Sequence, residues 1–137
     1  MKRIVLDLQS QTTAQALEHI LLQDLPDFRP IPADTPSETA EQCRLFRPGI
    51  LLMDVTARAP RTLSERLALC AEIRQQDPTC RVILFADEHA DAGLAAQVVR
   101  CRNNDQIDGF LFRSASEKYT AALLDGLYPR RKEYYME

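Results

Sequence analysis

Short apolar runs alternate with helix-period patterns five times along the chain. The runs are Ile4 to Leu6, a weaker one over Phe28 to Ile31, Ile50 to Met53, Val82 to Phe85, and Phe110 to Phe112. Between and after them, apolar residues recur at three- or four-residue spacing: Leu17, Ile20 and Leu21; Cys43 and Phe46; Leu67, Cys70 and Ala71; Leu94, Val98 and Cys101; Tyr119, Ala122 and Leu123. Each set predicts one buried helical face. Strand followed by helix, five times over, predicts an α/β domain whose mostly parallel sheet is covered on both faces. Strands buried on both faces need no alternation, which explains why the third and fourth runs are apolar throughout.

Helix starts are marked by three capping boxes, in which a hydroxyl accepts a backbone N–H and a Glu reaches back: Thr35 to Glu38, Thr62 to Glu65 and Ser114 to Glu117. Pro36 falls at a first helical position, where its missing N–H costs nothing. The second run carries Pro30 and Pro32, and a residue that cannot donate to a ladder belongs at a sheet edge. An edge position for strand two matches a doubly wound (βα)5 sheet of flavodoxin-like order 2-1-3-4-5. Its right-handed crossovers open a crevice at the carboxyl ends of strands one and three. One domain is expected over residues 1–128. The stretch YPRRKEYYME after Leu127 has no apolar period, so 129–137 read as a C-terminal tail or the start of a linker.

Composition narrows the function classes. The chain has 137 residues, 45% hydrophobic and 27% charged, with a net charge of −3. That balance suits one folded domain and favours neither nucleic acid nor an anionic membrane as partner. No apolar run approaches the roughly 20 residues that span a bilayer, and a cytoplasmic location is expected. Cys43, Cys70, Cys80 and Cys101 form no CxxC pair, and His19 and His89 are the only histidines, so neither a zinc site nor a disulfide framework is indicated. The first strand leads into LDLQSQTTAQ, which contains no glycine and therefore no loop of the kind that cradles a phosphate or dinucleotide.

In this topology four strand ends converge: Asp7 after the first, Asp54 after the third, Phe85-Ala86-Asp87 after the fourth and Arg113 after the fifth. An acid that ends a buried apolar strand, within reach of a second acid and a cation, is placed to act as an anionic nucleophile or a metal ligand. A plainer alternative stands beside this: Asp54 caps the following turn, and Arg113 neutralises Asp54 and Asp7 without further chemistry.

From KRIVLDL to the last helix, the chain resembles the receiver domain of two-component response regulators. The resemblance implies that Asp54, in ILLMDV, accepts a phosphoryl group from a histidine kinase or phosphotransfer protein. It implies a Mg2+ ion held by Asp7 and Asp54 with the carbonyl of Thr56, and Arg113 as the charge partner in the place of a lysine. It also implies Phe110 as the switch aromatic and Ala86 in its usual place after the fourth strand. No enzymatic activity is implied beyond self-phosphorylation of Asp54 from a phosphodonor.

Several positions depart from the family pattern. Leu8 replaces the second acid of the metal-binding pair, Phe85 replaces the hydroxyl residue, and Ser114 replaces a proline. Pro60 comes later than the usual Met-Pro, and the Asp-Gly that normally follows is missing. A phenyl ring cannot donate a hydrogen bond to a phosphate, and Arg and Lys are not interchangeable at a tight site. The departures support an alternative: a pseudo-receiver that acts as a phosphorylation-independent interaction module. Such a module would form a homodimer or bind an effector through its helix-4, strand-5, helix-5 face.

Overall fold

A computed structural model describes residues 1–130; residues 131–137, most of the expected tail, lie outside the described residues. Five strands, β1 (Lys2–Asp7), β2 (Phe28–Pro32), β3 (Ile50–Asp54), β4 (Arg81–Ala86) and β5 (Gly109–Phe112), alternate with five helices. The helices are α1 (Gln11–Asp24), α2 (Pro36–Phe46), α3 (Leu63–Gln76), α4 (Ala92–Asn103) and α5 (Glu117–Leu127). All neighbouring strands pair in parallel in the order β2-β1-β3-β4-β5. The proline-bearing β2 is therefore an edge strand, as its missing N–H donors require.

The sheet divides the interior in two. Val5, Leu51, Met53, Val82 and Leu84 face α2, α3 and α4, while Ile4, Leu6, Ile50, Leu52 and Ile83 face α1 and α5. Every residue of β3 is buried, which is why its sequence shows no alternation.

The helical faces on α1 and α4 lie where their spacing predicts. Those on α3 and α5 are rotated by one residue. On α3 the buried set is Arg66, Leu69, Cys70 and Ile73, and Ala71 is exposed. On α5 it is Thr120 and Leu124, with Tyr119 and Ala122 outside. Phe46, at the end of α2, is exposed and lies under the guanidinium of Arg3. On α3 and α5 a polar residue, Arg66 or Thr120, takes an inward position next to the apolar one expected there.

Capping explains the helix starts. Thr62 and Glu65 form the full reciprocal box, and Thr35 accepts from the Glu38 N–H. The third box is displaced: α5 is capped by Ser116, which accepts from the Tyr119 N–H, and Ser114 instead donates its hydroxyl to the Glu88 carboxylate. The C-terminal end is pinned by Tyr128, a buried residue whose ring meets Phe28 edge-on at 5.3 Å and whose hydroxyl accepts from the Arg3 N–H. A Cβ at Gly49 would stand 2.3 Å from that ring, so only glycine permits this approach.

Candidate functional site at the carboxyl ends of the strands

β1 and β3 deliver their terminal acids side by side, since Asp7 registers with Met53 and Asp54 follows one step later. The connection after β3 then folds back on itself. The Thr56 N–H donates to the Arg61 carbonyl at 2.8 Å and the Arg61 N–H to the Arg58 carbonyl at 2.9 Å. This turn carries the Arg61 side chain over the strand ends. Thr62 starts α3 directly afterwards, and Arg66, one turn in, points back along the same helix face as Leu69 and Cys70 toward the sheet.

The result is a buried quartet of two carboxylates and two guanidinium groups. The Arg66 fork bridges the acids: Nη1 donates to Asp7 Oδ2 at 2.8 Å, Nη2 to Asp54 Oδ1 at 3.1 Å, and Nε to the Asp54 carbonyl at 2.7 Å. Arg61 Nη1 donates to Asp54 Oδ1 and stands 2.9 Å from Asp7 Oδ1, while its Nη2 donates to the Asp34 carbonyl at 3.0 Å. The Thr39 hydroxyl on α2 donates to Asp7 Oδ2 at 2.6 Å, and the Gln9 N–H donates to Asp54 Oδ2 at 2.8 Å. Asp7 is 0% exposed and Arg66 1%. Burial by itself weakens the hold of Arg61 on its proton, but the hydrogen bond and charge of Asp54, followed by those of Asp7, outweigh it and raise its pKa. Two buried negative charges are thus balanced by two buried positive ones, the arrangement that makes such burial tolerable.

Arg113 is not part of this quartet. Its side chain is 68% exposed and pairs with Asp87 at 3.3 Å, because β5 ends on the far side of β4 from β3 and the nearer acid is the one that follows β4. The expectation that Asp7, Asp54 and Arg113 share one hollow is corrected accordingly: the charge partners of Asp54 are Arg61 and Arg66. Burial tends to raise the pKa of Asp87, yet the N–H groups of Ala90 and His89 and the charge of Arg113 bring it below 3.8. Asp54 and Arg113 do line a common cleft of about 850 Å3, together with Thr56, Phe85 and Phe112.

Phe85 lines this cleft and packs on the α1 and α5 side of the sheet, not against α4. Phe110 packs on the opposite side, its ring 5.0 Å from that of Phe112. Ala86 is buried at the end of β4, and Leu8 is buried in the α1 core. Leu8 also lines the cleft, but its hydrocarbon side chain offers no ligand.

The quartet does not fit a divalent cation. A magnesium ion requires an oxygen shell at about 2.0–2.1 Å and usually draws on one or two carboxylates. Here each carboxylate oxygen of Asp7 and Asp54 already faces a donor, and three of the four face a guanidinium. Among the described residues no group of three or more His, Cys, Asp or Glu is placed to hold a metal. Thr56, whose carbonyl is the third expected ligand, lines the cleft beside Asp54 and engages its hydroxyl, not that carbonyl, with the Arg58 backbone.

Arg61 and Arg66 are the site residues that the sequence pattern hid. Arg66 lies in RLALCAEIRQQ, whose charges read as ordinary solvated surface. Its spacing to Leu69, Cys70 and Ile73 is that of one helical face, so a charge at the N-terminal end of an apolar stripe was the available signal. Arg61 sits in a loop, where no periodicity points inward.

No protein-family model and no curated protein matches the sequence. Solved structures do match over nearly the whole chain. The signal receiver domain of a signal transduction histidine kinase from Syntrophus aciditrophicus is 21% identical, with 93% of this chain and 90% of that one covered and a TM-score of 0.71. A CheY-like response regulator receiver domain protein from Methanospirillum hungatei JF-1 is 15% identical, with 97% and 98% covered and a TM-score of 0.72. A CheY-like protein from Pseudomonas aeruginosa PAO1 is 18% identical, with 93% and 99% covered and a TM-score of 0.72. At these identities the likeness is one of fold: the chain has the receiver-domain fold, with its flavodoxin-like strand order.

Proposed function

We propose that this chain is a receiver-fold signalling module of the pseudo-receiver kind, which works through protein contacts and not through phosphorylation of Asp54. The observation that carries this reading is the bridging of Asp7 and Asp54 by Arg66, reinforced by Arg61. Phosphoryl transfer is mostly positioning and charge stabilisation, and its metal ions neutralise the developing charge. Carboxylates that are already neutralised have little pull on a cation. An acid whose Oδ1 is bonded to two guanidinium groups is also a poor nucleophile, since its electron pairs are engaged. Phe85 adds to this, because it presents a ring to the cleft where a hydroxyl would be needed to bond a phosphate. In this reading the partner is a second copy or an effector protein docked on the face built by α4, β5 and α5, where Phe110 and Phe112 lie half-buried against one another.

One observation favours the other reading, in which Asp54 takes a phosphoryl group from a histidine kinase or phosphotransfer protein with Mg2+ bound. Asp54 lines the open cleft and, unlike Asp7, keeps one oxygen free of arginine. Incubation with acetyl phosphate and Mg2+ separates the two. The pseudo-receiver reading expects an unchanged intact mass under conditions that label a control receiver. A phosphoryl increment that disappears in Asp54→Ala would establish the phosphoacceptor instead.

A further inference from the structure

We infer that Arg61 and Arg66 are a built-in replacement for a divalent cation, and that taking Arg61 away uncovers a carboxylate pair that binds one. This deepens the reading just given and rests on it, since it explains how the fold keeps two acids together without a metal.

Two carboxylates in one buried site repel, and both stay ionised only if a cation lies between them. In this chain that cation is covalently part of α3 and of the loop before it. The Arg66 fork spans from Asp7 Oδ2 to Asp54 Oδ1, and Arg61 Nη1 contacts the remaining Asp7 oxygen and the same Asp54 oxygen. The planar fork suits this bridging, because one side chain offers donors to both acids at once. Asp7 Oδ1 is the weak point. It is fully buried, accepts no hydrogen bond and is satisfied only by the charge of Arg61 at 2.9 Å. Without Arg61 this oxygen and Asp54 Oδ1 are left with one guanidinium for two negative charges, next to the cleft that Asp54 lines. Oxygen donors with surplus negative charge at the edge of a cavity are what hard divalent cations take.

The occupant is therefore a hard divalent ion held by oxygen. Unlike a purely structural ion pair, a built-in replacement for a cation gives a gain of metal binding when its positive charge is lost. The test uses Mn2+ as probe, followed by its electron paramagnetic resonance signal and by thermal unfolding, on the wild type, Arg61→Ala and Arg61→Ala/Arg66→Met. Arg61→Gln serves in place of alanine should the latter fail to fold.

The wild type is expected to leave Mn2+ free, with an unchanged midpoint. Arg61→Ala is expected to bind one ion and gain several degrees at saturating Mn2+. The double variant is expected to bind more tightly, or to fold only when Mn2+ is added. Adding Asp7→Asn to Arg61→Ala should abolish the gain. Wild-type binding equal to that of the variants overturns the inference, as does a folded Arg61 variant that leaves the ion free. Phosphoryl labelling of the wild type would remove the pseudo-receiver reading, whereas an Arg61 variant without affinity for Mn2+ removes only this one.

Discussion

Two clusters of opposite charge stand at the same end of the sheet and have opposite physical characters. Asp7, Asp54, Arg61 and Arg66 are buried at the ends of β1 and β3. Asp87 and Arg113, after β4 and β5, meet at 3.3 Å with the arginine largely in water. The chemistry is the same and the setting differs. In the interior, each charge depends on its partner, because an unpaired one has no water to turn to. At the rim, water and salt substitute for either partner. The centre of this site is therefore fixed by its own side chains, whereas the edge is held only by a solvent-exposed pair.

The largest effect should come from the buried bridge. Arg66→Ala leaves two carboxylates short of a cation and should cost about 3–5 kcal/mol in urea unfolding, enough to threaten folding at ambient temperature. A mild effect would show that the two clusters are alike after all. Next comes Asp54→Asn, which removes one charge at the side of the quartet open to the cleft. A loss of about 1–3 kcal/mol is expected, because Arg61 and Arg66 keep Asp7 as a partner.

At the rim, Arg113→Ala should leave the unfolding midpoint unchanged within error at physiological salt. A loss as large as that of the Asp54 variant would erase the distinction between centre and edge. The smallest effect concerns pH. The folded state lowers the pKa of Asp87 below 3.8, through the Ala90 and His89 N–H groups and Arg113 once burial is overcome. A carboxylate depressed in this way contributes stability above its unfolded value, and the contribution fades as pH falls through the folded one. Comparing Asp87→Asn with the wild type in acid should therefore show the two converging only below about pH 4, with a slight wild-type advantage at neutral pH.

Much of the fold was legible because the sheet is buried on both faces. Runs such as Ile50 to Met53 have no reading but a central strand, and Pro30 and Pro32 put β2 at the edge. The rotated faces of α3 and α5 were less legible, since polar residues point inward on both: Arg66 meets Asp7 and Asp54 on other elements, and Thr120 returns its hydroxyl to the carbonyl of Ser116, the N-cap of its own helix. The site shows the same limit. Asp7 and Asp54 stand out because each ends an apolar strand. Which cation meets them depends on how an eight-residue connection folds back, and pattern carries no information on that. Arg113 looked suitable because it follows a strand, but β4 lies between its strand and β3.

Asp7 and Asp54 are neutralised by the buried arginines Arg61 and Arg66, in the place a metal would take. Thermal unfolding of the wild type with and without Mg2+ and beryllofluoride tests this most directly, because any ligand bound to the native state raises its stability in proportion to occupancy. Superimposable unfolding curves are the predicted result. A midpoint that climbs with both additives together, and returns to baseline in Asp54→Ala, would contradict it.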